Sequence, residues 1–135
     1  MNSETPAELL QRLLDACNEG REEAIHLAER TEIEDLRRLL QEGAQQYGCA
    51  ADDIRAVWAT DAGESVTTDG RHEPPFRFDD DGDLVALWER SECEALTCFS
   101  DAYDTPLPPR LAATVKRHFE AGVSRLERLR KLRTG

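Results

Sequence analysis

The chain has 135 residues, a formal net charge of −11, 39% apolar residues and 33% charged ones. That is one domain's length, with too many apolar residues for a charge-dominated disordered chain. No apolar run nears the roughly 18 residues a membrane helix needs, and so acidic a molecule will not hold nucleic acid as a whole by counterion release.

The first six residues, Met1-Asn2-Ser3-Glu4-Thr5-Pro6, have neither a basic nor an apolar signal region, so a cytoplasmic location is expected. Thr5-Pro6-Ala7-Glu8 is a capping box with proline at the first helical position. It opens a predicted helix over 6–29 whose apolar stripe is Leu10, Leu13, Leu14, Cys17, Ala24 and Leu27. Gly20 falls on that stripe. Thr31-Glu32-Ile33-Glu34 reads as a second capping box and opens a predicted helix over 32–60. The short interval makes the two an antiparallel hairpin. Gly43 and Gly48 interrupt the second helix without breaking its period.

Residues 62–82 are polar and punctuated by Gly63, Gly70, Pro74, Pro75 and Gly82. They form a long connection, and long connections are usually functional or mobile. A third helix follows over 83–103, with Leu87, Trp88, Ser91, Ala95, Cys98 and Phe99 on its stripe and with Leu96 and Tyr103 widening it. Thr105-Pro106-Leu107-Pro108-Pro109 forces a turn. The fourth helix is predicted over 109–133 through Leu111, Val115, Phe119, Gly122, Leu126 and Leu129. The expected fold is a single all-α domain, 1–135. It is an antiparallel up-down-up-down four-helix bundle, with two hairpins joined by the 62–82 connection. Trp58 with Trp88, and Tyr47 with Phe119, are expected to form core layers.

Charge is unevenly spread, with residues 106–135 at +6 and the remainder at −17. The basic fourth helix therefore either packs beside acidic neighbours or presents a docking strip. No aromatic residue interleaves Arg128–Arg133, which argues against nucleic acid.

Few residues suggest chemistry. A di-metal centre in a bundle needs inward carboxylates and Glu-x-x-His pairs, since positions three apart share a face. Glu23-Ala24-Ile25-His26 is the one literal match, and wheel counting turns His26 toward solvent. His118 at the edge of the fourth stripe and Glu94 on the third helix are the remaining metal candidates. Asp79-Asp80-Asp81-Gly82-Asp83 looks like part of a calcium loop, but Arg77 and Trp88 stand at the first and twelfth ligand positions, which excludes an EF-hand. No nucleophile motif, phosphate loop or dinucleotide fingerprint is present. No catalytic residue and no cofactor are assigned. Cys17, Cys49, Cys93 and Cys98 form no Cys-x-x-Cys pair. Cys17 and Cys98 fall on apolar faces, whereas Cys49 and Cys93 fall on polar ones.

The run Leu13-Leu14-Asp15-Ala16-Cys17-Asn18-Glu19-Gly20 and the run Ala86-Leu87-Trp88-Glu89-Arg90-Ser91-Glu92-Cys93-Glu94-Ala95-Leu96 resemble a bacterial ferritin-like four-helix-bundle family of unknown function. Asp101-Ala102-Tyr103-Asp104, Leu107-Pro108 and Arg128-Leu129-Arg130 extend the likeness over most of 7–133. The resemblance implies a ferritin-like bundle in the bacterial cytoplasm with no settled activity. The segment 62–82 is shorter and more polar than the family's. The ferritin ligand set is missing from the core side, so no metal residue carries over.

The expectation is a non-catalytic bundle acting on an unknown protein partner, through the 62–82 connection and the basic helix. Any self-association is expected to be a two-fold dimer. One alternative is a degenerate iron-handling protein using His118 and Glu94. A second is a thiol-based stress sensor using Cys49 or Cys93.

Overall fold

The first helix begins as its capping box dictates. Thr5 Oγ1 accepts a hydrogen bond from the Glu8 amide at 3.1 Å, and the Glu8 carboxylate receives the Thr5 hydroxyl at 2.9 Å. The computed structural model describes residues 5–62 and 84–134. They form α1 (Pro6–Arg30), α2 (Glu34–Ala62), α3 (Leu84–Tyr103) and α4 (Pro109–Thr134), the expected all-α four-helix bundle. No described helix is long and apolar enough to cross a membrane.

The second helix starts two residues later than expected. Thr31 is taken by the end of α1, where its amide donates to Leu27 O at 2.9 Å. Its hydroxyl accepts from the Ile33 amide at 3.1 Å, so it turns the chain and does not cap α2. Arg37 closes the turn by donating to the Thr31 carbonyl at 2.7 Å and the Ala28 carbonyl at 3.4 Å. These are carbonyls the helix end leaves without partners. At the far end of the bundle, Pro108 O accepts the first hydrogen bond of α4, from Ala112, at 2.9 Å.

The helix directions differ from the expected order. α1 packs against α2 and α3, and α4 packs against α2 and α3, leaving α2 and α3 on a diagonal. Arg12 meets Asp101 and Glu23 meets Ser91, so α1 and α3 are antiparallel. Asp53 meets Arg117 and Glu42 meets Arg128, so α2 and α4 are antiparallel. Hence α3 runs parallel to α2, and the order is up-down-down-up. A short loop could not connect parallel helices. The 21 residues numbered 63–83 join opposite ends of the bundle, which accounts for the length of that connection.

The same correction separates the tryptophans. Trp58 belongs to a lower core cluster with Leu10, Leu14, Ile54, Phe99 and Leu111. Trp88 belongs to an upper one with Leu27, Leu36, Leu40, Leu126 and Leu129. Tyr47 and Phe119 do share the lower cluster. Tyr103, expected to widen the stripe of α3, is 50% exposed.

Two glycines in α2 have opposite surroundings. A Cβ on Gly43 would lie 2.7 Å from Trp88 Cζ2 and 3.2 Å from Arg125 Cδ, and the fully buried indole has nowhere to go. A Cβ on Gly48 would meet only Arg21, at 3.8 Å or more. Gly48→Ala is expected to stabilise the protein by about 0.5–1 kcal/mol through helix propensity. Gly43→Ala is expected to destabilise it by about 1–3 kcal/mol through overpacking. Paired urea titrations would check the opposite signs.

Candidate functional site

Between the two apolar clusters lies a layer of polar side chains. Glu92 on α3 is fully buried, because position 92 falls on the same core face as Trp88, Ala95 and Phe99. Arg125 on α4 is also buried. Its Nε donates to Glu92 Oε2 at 2.7 Å, and its Nη2 donates to Glu92 Oε1 at 3.3 Å. The Tyr47 hydroxyl donates to Glu92 Oε1, and Arg125 Nη1 donates to Gln46 Oε1. The guanidinium also sits over the Tyr47 ring, 4.6 Å from its centroid.

This arrangement answers the cost of burying charge. A buried ion needs a partner and hydrogen bonds for its remaining atoms, and here one carboxylate receives three donors. Burial, the largest single cause, would lower the Arg125 pKa, but the charges of Glu92 and Tyr47 and their hydrogen bonds together outweigh it and the net shift is upward. The Tyr47 phenol is pushed well above its ordinary range, first by burial and then by Glu92. The nearby Cys17 thiol is pushed up to about 12 by burial, which leaves it inert as a nucleophile at neutral pH.

A second polar feature opens at the surface between α1 and α3. It is a cleft of about 300 Å³ whose walls include Glu19, Glu23, Ser91 and Glu94. Glu23 is 6% exposed, and one of its oxygens accepts the Ser91 hydroxyl. Burial, and then the charges of Glu19, Glu94 and Glu92, raise the Glu23 pKa to about 8. An unfolded glutamate releases its proton near 4.5, so the folded state holds one more proton between about pH 4.5 and 8. Stability from this group is present at low pH and is lost as pH rises through that window. Glu23→Gln is therefore expected to flatten the decline. The variant should exceed the natural chain by about 1–3 kcal/mol near pH 9, a range discounted for the openness of the cleft. Unfolding in urea near pH 5 and near pH 9 measures this difference.

The structure does not bring the two nominated metal residues together. His118 Nε2 lies 2.9 Å from Asp53 Oδ2, on the α2–α4 side. Glu94 lines the cleft on the opposite, α1–α3 side. No group of three or more His, Cys, Asp or Glu side chains placed to hold a metal ion occurs among the described residues. The centre of the bundle does not fit a di-metal site either. Both oxygens of Glu92 are taken, and a guanidinium already supplies the cation there. His72 and the run Asp79–Asp83 lie outside the described residues.

Part of the charge of the basic fourth helix is paired with acidic residues of α2 and α3. Arg117 pairs with Asp53, Arg125 with Glu92, Arg128 with Glu42 and Arg130 with Glu89. Of these only Arg125 is buried, and Arg117, Arg128 and Arg130 pair with acidic neighbours while remaining more than half exposed. Among the thiols, Cys49 is exposed, Cys93 is half-buried against the upper cluster, and Cys98 is half-buried against the lower one. The sequence suggests no cation beside Cys49. In the structure Cys49 lines an α1–α2 groove together with Arg21, Arg55 and Asp52, and Asp52 pairs with Arg55 at 3.4 Å.

Glu92 and Arg125 were not nominated by the sequence, and Glu23 entered only through its Glu-x-x-His match with His26. Each falls at helical spacing within an apolar stripe, Glu23 between Gly20 and Leu27, and Arg125 between Gly122 and Leu129. A charge at such a position was the available signal. No family model matches the chain, and no curated protein matches it.

Proposed function

We propose that this chain is a non-catalytic helical bundle of the ferritin-like type, acting by contact with a protein partner in the bacterial cytoplasm. The observation that carries the reading is the closed polar layer. Glu92, Arg125, Tyr47 and Gln46 satisfy one another, so among the described residues this layer leaves no unpaired carboxylate to coordinate a metal ion. Two antiparallel hairpins joined by one long crossover are the connectivity of ferritin-like bundles, which supports the family resemblance. The net charge of −11 favours a partner with a basic face.

Metal analysis of protein purified without chelator, followed by ferrous titration with oxygen uptake, tests the reading. A metal-free, redox-silent protein is expected. Near-stoichiometric iron or manganese with oxygen consumption would overturn it.

One observation favours a second reading, a thiol sensor at Cys49. The thiol is exposed in a groove that Arg21, Asp52 and Arg55 also line. Mass spectrometry after mild peroxide should then find Cys49 modified while Cys17 is untouched. Modification of neither Cys49 nor Cys93 before unfolding would sink this alternative.

A further inference from the structure

In the core, the two hairpins meet through apolar clusters above and below the polar layer. Glu92 and Arg125 both belong to the α3–α4 hairpin, and their other hydrogen bonds cross to α2, at Tyr47 and Gln46. Gly43, one turn before Tyr47 on α2, receives Trp88 and Arg125 of the same hairpin. The charge pair is therefore complete within one hairpin, and its two neutral partners depend on how that hairpin is seated on the other.

Apolar contacts alone do not decide that seating. If α3 ran antiparallel to α2 with Trp88 beside Trp58, each step along α3 would be a step back along α2. Ala95 would then face Ala51, Phe99 would face Tyr47, and Tyr103 would face Gly43. These are apolar or small partners at helical spacing. The 21 residues between α2 and α3 are long enough for either direction. The charged position discriminates. Glu92 would face Ile54, seven residues and about 10 Å along α2 from Tyr47. The pair would lose both α2 partners, and the buried Tyr47 hydroxyl would face a phenyl ring with its hydrogen bond unmade.

We infer that the polar layer is the device that selects the direction of the second hairpin, holding α3 parallel to α2 and keeping Trp58 and Trp88 apart. Buried ion pairs often add little stability over apolar groups of the same volume. What this one supplies is a single arrangement, as one polar core residue does when it fixes the register of a coiled coil. The role is independent of the partner contact proposed above.

The experiment is proton–nitrogen correlation NMR of the full chain, read at the indole N–H groups of Trp58 and Trp88, its two tryptophans. The natural chain should give two indole peaks and no nuclear Overhauser contact between the rings. The double variant Glu92→Met with Arg125→Met should keep its helical circular dichroism and gain a second pair of indole peaks. That pair should hold at least about a tenth of the intensity, the upper end of ordinary minor-state populations, and should show a Trp58–Trp88 contact. A helical double variant without that contact, whatever its number of peaks, overturns the proposal. So does a Trp58–Trp88 contact in the natural chain. If the double variant loses its helical signal, Gln46→Leu with Tyr47→Phe, which keeps the ion pair, is read in the same way, and absence of the contact there overturns the proposal.

Discussion

Glu92→Ala is expected to destabilise the bundle by about 3–5 kcal/mol, because it strands the Arg125 guanidinium in the core. Arg125 is 5% exposed, and two of its three nitrogens donate to Glu92. Its third nitrogen donates to Gln46. Tyr47→Phe removes one donor from the same carboxylate and leaves the charge pair whole, so a smaller loss of about 1–3 kcal/mol is expected. Replacing Glu92 and Arg125 together by methionine removes both charges at once. That double variant should recover most of the loss, since buried pairs often exchange for apolar groups at little net cost. Urea unfolding of the three variants measures the order. A loss below about 1 kcal/mol for Glu92→Ala, the size of an exposed pair, would show that water reaches the layer.

The second large effect is expected at Leu126, on the neighbouring position of α4. Its side chain is 7% exposed and packs in the upper cluster with Trp88 and Leu129. Leu126→Ala should cost about 2–5 kcal/mol, by lost burial and by the cavity left behind. Leu132, six residues further along the same helix, is 36% exposed. Leu132→Ala should stay within about 0.5 kcal/mol. Thermal or urea unfolding that found the two losses equal would place α4 in a different rotation about its axis.

The helices were legible because their signals are local. Thr5 with Glu8, and Pro109 in the first turn of α4, mark helix starts through hydrogen bonds and a fixed φ that need no tertiary partner. The stripe of α1 reads directly into its buried face. The direction of α3 was not legible. Apolar periodicity says which face is buried but not which neighbour buries it, so Trp58 and Trp88 could be paired on paper while lying in opposite clusters. The polar layer was missed for a related reason. Glu92 and Arg125 are ordinary charges on helices rich in charge, and only their contact across α3 and α4 marks them as a unit. The basic strip of α4 shows the converse. Its charge is plain in the sequence, but its partners Asp53, Glu42 and Glu89 come from two other helices.

The parallel course of α2 and α3 turns the segment between them into a ruler. α3 has 20 residues and rises about 30 Å. An extended chain needs about 9 residues to reach that far, and 21 separate Ala62 from Leu84. Lengthening the tether is cheap, since each doubling of a loop costs only about 0.6 kcal/mol. Cutting it below its minimum reach would deny α3 its own seat beside α1. The second hairpin would then have to dock on another copy of the chain, and that copy would return the exchange. Tether length thus counts molecules, separating a self-contained bundle from a swapped pair built of the same contacts.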